Sequence, residues 1–202
     1  HTLNGPITIA SGTFHIGQST IVAVGSITVT TNGLLEMHDQ ALFKGTMIKV
    51  KAPGGPLPAP RGRLRLYDIG ALPGGPTLTS TSTATGLNID IDGTVDFSSG
   101  TFGRLVAGGI RISGIADIVS LSSVTFKGPL PAGTTALNFY DSVTYVSTLT
   151  NVGFEDSNIS VNVFAFQPRS TGRLSMQKAY GPKAGPAFEN DPNSLVDWPG
   201  YE

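Results

Sequence analysis

Short stretches in which apolar and polar residues alternate recur along the whole chain. Each has an apolar–polar–apolar core, and successive stretches begin 15 to 27 residues apart, with a mean near 21. Strict alternation predicts strands with one buried and one solvent-facing side. Recurrence at this period predicts that the strands stack as turns of a β-solenoid. The nine stretches are Ile7-Thr8-Ile9, Ile27-Thr28-Val29, Ile48-Lys49-Val50, Leu64-Arg65-Leu66, Leu87-Asn88-Ile89, Ile110-Arg111-Ile112, Leu137-Asn138-Phe139, Ile159-Ser160-Val161 and Leu174-Ser175-Met176.

A second series of alternating pairs lies between these stretches. The pairs are Phe14/Ile16, Leu35/Met37, Val95/Phe97, Val124/Phe126 and Val152/Phe154. Two or more strands per repeat indicate a coil of parallel strands joined by bends. The sequence therefore predicts an all-β fold, a single-domain right-handed parallel β-helix of about eight to nine rungs. An antiparallel β-sandwich remains an alternative, because Asn32-Gly33 and Asp92-Gly93 are dipeptides typical of hairpins.

The pattern divides the chain into a β-helix over residues 1–180 and an irregular tail or cap over 181–202. Beyond Gly181 the alternation stops, and we expect Phe188 and Trp198 to cover the unpaired edge of the last rung. Segments 53–60, 72–76 and 128–133 are rich in Pro and Gly, which predicts loops that leave the rungs.

Composition excludes several kinds of chemistry. The 202 residues contain no cysteine, which excludes disulfides, Cys-based metal sites and a thiol nucleophile. The net charge of −1 gives no general attraction for nucleic acid. No apolar run is long enough to predict membrane insertion. We expect neither a cofactor nor a catalytic residue.

The repeated strands and the tail segment Ala187-Phe188-Glu189-Asn190-Asp191-Pro192-Asn193 resemble the right-handed parallel β-helix (pectin-lyase-like) domains of large secreted bacterial surface and adhesin proteins. The resemblance implies a secreted or cell-surface location and a role in display, adhesion or assembly. The same fold class includes polysaccharide lyases and hydrolases, so fold alone does not fix function.

A strip of positive charge is the most uneven feature of the composition. It comprises Lys49, Lys51, Arg61, Arg63 and Arg65, with no acidic residue among them. Stacking is expected to place the two lysines one rung, or about 5 Å, from Arg63 and Arg65. The strip predicts an anionic polysaccharide or the acidic face of another copy as partner. Pairing of the arginines with Asp90 and Asp92 inside the chain is the alternative.

Two groups of side chains are weak metal candidates. Asp90, Asp92 and Asp96 face outward and are a possible start of a calcium site, although solubilising surface residues explain them as well. His15 and His38 are predicted to meet on stacked rungs beside Asp39, where a transition metal or an ordinary surface role is compatible with them. No metal site is predicted outright.

These observations favour a non-enzymatic extracellular structural protein that stacks on copies of itself into fibres, or forms part of an adhesin. The first rung has no cap, so Ile7 and Ile9 at the open end, with Phe188 and Trp198 in the tail, are the predicted assembly contacts. A carbohydrate-binding or polysaccharide-degrading β-helix module is the alternative.

Overall fold

The computed structural model describes residues 1–23, 25–52, 60–69, 74–82, 85–165 and 171–202. Most of the predicted loop at 53–60 lies outside these residues, as does the start of the loop at 72–76. The third predicted loop, 128–133, forms no strand.

Strands dominate the described residues, with one 3₁₀ helix at Pro186–Phe188. The strands are β1 (Thr2–Leu3), β2 (Ile7–Ile9), β3 (Gly12–Ile16), β4 (Thr20–Ala23), β5 (Ser26–Val29), β6 (Gly33–His38), β7 (Leu42–Lys44), β8 (Met47–Val50), β9 (Arg63–Tyr67), β10 (Thr77–Thr79), β11 (Leu87–Ile91), β12 (Thr94–Phe97), β13 (Gly100–Phe102), β14 (Leu105–Ile112), β15 (Asp117–Leu121), β16 (Val124–Phe126), β17 (Thr134–Phe139), β18 (Val146–Thr150), β19 (Gly153–Phe154), β20 (Ile159–Phe164), β21 (Arg173–Gln177) and β22 (Val196–Asp197).

The strands wind into a parallel β-solenoid of about seven turns. Sheet A runs β1-β4-β7-β10-β13-β16-β19, and sheet B runs β2-β5-β8-β11-β14-β17-β20. Sheet C contains β3, β6, β9, β12 and β15 in that spatial order, and sheet D contains β18, β21 and β22. Each turn therefore supplies one strand to A, one to B and one to C or D.

The predicted solenoid is confirmed, and the antiparallel sandwich is wrong because every strand pair among the described residues is parallel. The predicted eight to nine rungs exceed the observed turns for a simple reason. Seven of the nine alternating stretches lie on sheet B, whereas Leu64-Arg65-Leu66 belongs to sheet C and Leu174-Ser175-Met176 to sheet D.

Inward-facing apolar side chains form one continuous core along the axis. On sheet A, register places one such residue per turn in a column that we call the phenylalanine column: Ile21, Phe43, Leu78, Phe102, Phe126 and Phe154. The last three rings follow each other at centroid distances of 5.6 Å. Stacked aromatic rings at this spacing stabilise a core beyond their buried area.

The two dipeptides that suggested hairpins instead form corners between sheets B and C. Asn32 adopts a φ of 65°, and a methyl group on Gly33 would lie 2.1 Å from the carbonyl oxygen of Ile9. Gly93 is equally close to the turn below, 2.3 Å from the carbonyl oxygen of Gly62. Glycine is present at these corners because backbones of neighbouring turns touch there.

Candidate functional site

The N-terminal end of the solenoid exposes three strand edges. β1, β2 and β3 are the outermost strands of sheets A, B and C, and no strand of the described chain pairs with their free edges. Ile9 points into the core and is 6% exposed, whereas Ile7 is only partly buried against that core. Backbone groups at a free edge are available to a further strand.

A hollow of about 420 Å³ opens at this same end. Its apolar floor combines Leu3 of β1 and Phe14 of β3 with core residues of the first two turns. The full lining is His1, Thr2, Leu3, Phe14, His15, Ile16, Gly17, Ser19 and Ile21.

The C-terminal tail lies over the last turn and pairs with it. Asn190 exchanges backbone hydrogen bonds with β20, and β22 pairs in parallel with β21. The backbone amide of Glu202 donates to the carbonyl of Ala179 at 2.9 Å. The tail thus adds an eighth layer over sheets B and D and, beyond Tyr180, the start of a ninth layer over sheet A.

The two aromatic residues predicted to cover the last rung occupy different positions in that layer. The ring of Trp198 packs against Phe154 at a centroid distance of 6.1 Å and an angle of 60°, so it covers the end of the phenylalanine column, and its indole nitrogen donates to Glu189. Phe188 is part-exposed under the ammonium group of Lys183, 4.5 Å from the ring centre. Only Trp198 therefore covers the core.

The outer face of sheet C carries a ladder of alternating charges. Register aligns His15, Glu36, Arg65 and Asp96 on four successive turns. The guanidinium of Arg65 contacts Glu36 at 3.0 Å and Asp96 at 3.3 Å, and Arg63 also bonds Asp96. Opposite charges on neighbouring strands stabilise the pairing.

The predicted positive strip is not a single surface. Lys49 lies on sheet B, where its register neighbours are Thr28 and Asp90, while Arg63 and Arg65 lie on sheet C. The expectation that Lys49 and Lys51 stack on the arginines is therefore wrong. β8 and β9 belong to the same turn, and the long connection between them gives Leu64-Arg65-Leu66 the sequence spacing of a new turn although it lies on the next sheet.

Arg61 lies at the corner that precedes β9. Its guanidinium donates to the backbone carbonyls of Asp92 and Ile115. Together with the ion pairs of Arg63 and Arg65, these bonds engage all three arginines of the strip within the chain. The alternative of internal pairing therefore describes the arginines, although Asp96 and Glu36 are their carboxylate partners rather than Asp90 and Asp92.

The three aspartates proposed for calcium do not converge. Asp90 bonds Arg111 at 2.9 Å on sheet B, and Asp96 bonds the arginines of sheet C. Asp92 accepts a hydrogen bond from the hydroxyl of Tyr140, and burial together with this carboxylate raises the pKa of Tyr140 to about 12. Within the described residues, no three His, Asp or Glu side chains are placed to hold a metal ion.

His15 and His38 do meet, with ring centroids 4.6 Å apart. His38 bonds the fully buried carboxylate of Asp39 at 3.0 Å and packs against Tyr67 at 5.3 Å. Burial alone raises the pKa of Asp39, but the backbone amide of Ile69 and the ring of His38 outweigh burial and lower it overall. Asp39 is therefore held as a carboxylate that orients His38.

Glu36 and Tyr67 complete this cluster, and sequence reasoning missed both. Glu36 lies 21 residues after His15, which is the spacing of one turn, so the repeat length alone could have predicted that the two residues are neighbours. The contact of Tyr67 with His38 could not be predicted from the repeat length, because the connection before β9 is long. Burial, followed by the neighbouring Glu36, raises the pKa of the Tyr67 hydroxyl.

Comparison with protein-family models, curated proteins and solved structures gives no match. In the part of the chain that the structure describes, no helix is long and apolar enough to cross a membrane.

Proposed function

We propose that this chain is a non-enzymatic structural subunit, secreted or displayed at a cell surface, that assembles by stacking the N-terminal end of one copy on the C-terminal end of another. The observation that carries the proposal is the set of free edges of β1, β2 and β3, all parallel and all at one end. A parallel solenoid is extended by any chain end that offers strands in the same direction.

The second end supplies such strands. Asn190, β22 and the segment up to Glu202 follow the direction of the strands beneath them. Contact between the ends would pair backbone groups and bury Ile7, with roughly 25 cal/mol gained per Å² of apolar surface. Trp198 contributes by holding the tail on the last turn, whereas Phe188 lies at its rim.

Truncation at each end tests this proposal. We expect the full chain to form elongated oligomers in electron micrographs and in sedimentation velocity. Deletion of residues 1–10 or of residues 182–202 should leave monomers with nearly unchanged strand content by circular dichroism. A full chain that stays monomeric at high concentration would contradict the proposal, as would truncated chains that still assemble.

Binding of an anionic polysaccharide is the second function to separate from assembly. The arginines of sheet C already bond carboxylates of the chain, which leaves less positive charge for such a ligand. Titration with acidic polysaccharides, with and without calcium, distinguishes the two. Salt-sensitive binding that Arg63→Ala/Arg65→Ala abolishes would favour a carbohydrate-binding module, and release of shortened chains would favour an enzyme.

A further inference from the structure

A second column on sheet A runs beside the phenylalanine column and ends at Tyr201. In each turn, the residue that follows the column member donates its backbone N–H to the backbone carbonyl of the column member one turn below. The bonds run from Leu42 to Ser19, from Thr77 to Ala41, from Thr101 to Pro76, from Tyr180 to Val152 and from Glu202 to Ala179, at 2.8 to 3.1 Å. Ser19 therefore begins this column and Tyr201 ends it.

Tyr201 is the exposed end of the aromatic core. Its ring contacts Trp198 at a centroid distance of 6.4 Å, and yet 48% of the residue remains exposed. A large aromatic side chain in this position contributes most when a partner buries it, because aromatic residues carry much of the binding energy in protein interfaces.

The hollow lies at the opposite end of the same column. Ser19 is exposed at its rim, and Ile21, the first residue of the phenylalanine column, lies in its floor. Its volume of about 420 Å³ is at the lower end of pockets that take a small ligand, which suits one aromatic side chain. Stacking two copies in register brings Tyr201 of one to the hollow of the next.

The two ends differ in their charged side chains. Residues 1–35 contain no Asp, Glu, Lys or Arg, and His1 and His15 line the hollow, with Glu36 of the next turn 3.9 Å from His15. Residues 186–202 contain four acids, and Lys183 and Arg173 contact this segment at the ring of Phe188 and at the carbonyl of Ser194. Burial raises the pKa of Glu189, and Asp191 and Asp197 add to the rise. The C-terminal end is therefore the more acidic of the two, which favours contact between unlike ends over contact between like ends.

We infer that Tyr201 of one copy inserts into the hollow lined by Leu3, Phe14 and Ile21 of the next copy, so that assembly is head to tail and each contact uses one tyrosine and one hollow. This inference rests on the proposed assembly and names its central contact. Two single substitutions each remove one side of this contact. Tyr201→Ser removes the tyrosine and leaves the hollow, and Ser19→Trp fills the hollow and leaves the tyrosine.

Sedimentation velocity of the full chain and of the two variants, alone and mixed, tests the contact. We expect each variant alone to stay monomeric up to concentrations at least about tenfold above those at which the unmodified chain assembles. An equimolar mixture should form dimers and nothing larger, because only the tyrosine of Ser19→Trp and the hollow of Tyr201→Ser can meet. Circular dichroism and thermal midpoints establish that both variants fold.

Val146→Ala is the matched control, since Val146 is 79% exposed and lies on β18 away from both ends. It should assemble like the unmodified chain. If Tyr201→Ser assembles as well as this control while the unmodified chain forms oligomers, the inference is wrong and the proposed assembly stands. If the unmodified chain remains monomeric at every concentration, the proposed assembly is wrong and this contact with it.

Discussion

Arg65 shows how a single side chain connects three turns of the solenoid. Its guanidinium lies between the carboxylates of Glu36 and Asp96, each only 13% exposed, and it covers the ring of Tyr67 at 4.5 Å. Largely buried carboxylates depend on such a partner more than exposed ones do, since solvent screens them less. The ladder on sheet C is therefore an internal stabilising element.

Replacing this guanidinium tests that interpretation. Arg65→Met keeps the apolar stem but leaves Glu36 and Asp96 without their shared cation, so we expect a loss of about 1–2 kcal/mol in the free energy of unfolding in urea. Lys51→Met, at an exposed position, is the control and should change it by less than about 0.5 kcal/mol. Equal effects of the two substitutions would contradict a structural role for the ladder.

Asp39 predicts a dependence of stability on acid. Its pKa is lower in the folded chain than in the unfolded chain, so its contribution is complete above the unfolded pKa of about 4 and disappears as the pH falls through the folded value. Asp39→Asn should therefore lower the thermal midpoint at pH 7, and the difference from the unmodified chain should shrink toward pH 3. Asp117→Asn, on the surface, should show no such convergence.

At the scale of elements, alternation predicted strands well and their sheets less well. The pairs Phe14/Ile16 and Leu35/Met37 lie on sheet C as one series, but Val124/Phe126 lies on sheet A. Period-two alternation fixes which side of a strand is buried, not which side of the coil the strand occupies. That assignment depends on connection lengths, and these vary from turn to turn.

Corner glycines set a limit on these connections. Gly33→Ala places a methyl group 2.1 Å from the carbonyl oxygen of Ile9, so the two turns must separate, and we expect a loss of about 2–3 kcal/mol in unfolding free energy. Gly108→Ala is a matched control, because its methyl group would meet only the Arg111 side chain at 3.9 Å. If the two variants unfold at the same denaturant concentration, the corner is not tightly packed.

Trp198 is expected to hold the tail in place. Trp198→Ala exposes Phe154 and removes the bond to Glu189, which should cost about 2–4 kcal/mol in the stability of the tail. Limited proteolysis should then release fragments cut near residues 181–195. Phe188→Ala loses mainly its contact with Lys183 and should remain resistant, so similar cleavage of both variants would argue against the assignment.

For the whole molecule, sequence was sufficient for the class of fold. Ile7 and Ile9 lie on β2, the outermost strand of sheet B among the described residues, and their role in assembly stays a prediction. The hollow was not foreseeable, since it depends on Leu3, Phe14 and Ser19 meeting from two sheets. The division of the positive strip between two sheets was not foreseeable either, because it depends on which strands β8 and β9 pair with.

A stack of turns is stabilised by neighbours on both sides, so an end turn is less stable than a central one. In the monomeric chain at low concentration, we expect amide hydrogens of β1, β2 and β3 to exchange at least about tenfold faster than those of β8, β11 and β14. Mass spectrometry of peptides after deuterium labelling measures the difference. Uniform exchange along the axis would indicate that the molecule opens only as a whole.

The junction of the phenylalanine column with the tail has an optical consequence. The chain contains one tryptophan, and it lies at that junction. Indole emission therefore reports the final layer alone, whereas far-ultraviolet dichroism averages over all turns. A red shift that precedes the loss of dichroism would reveal detachment of this layer as a separate event, visible in the native protein without any attached dye.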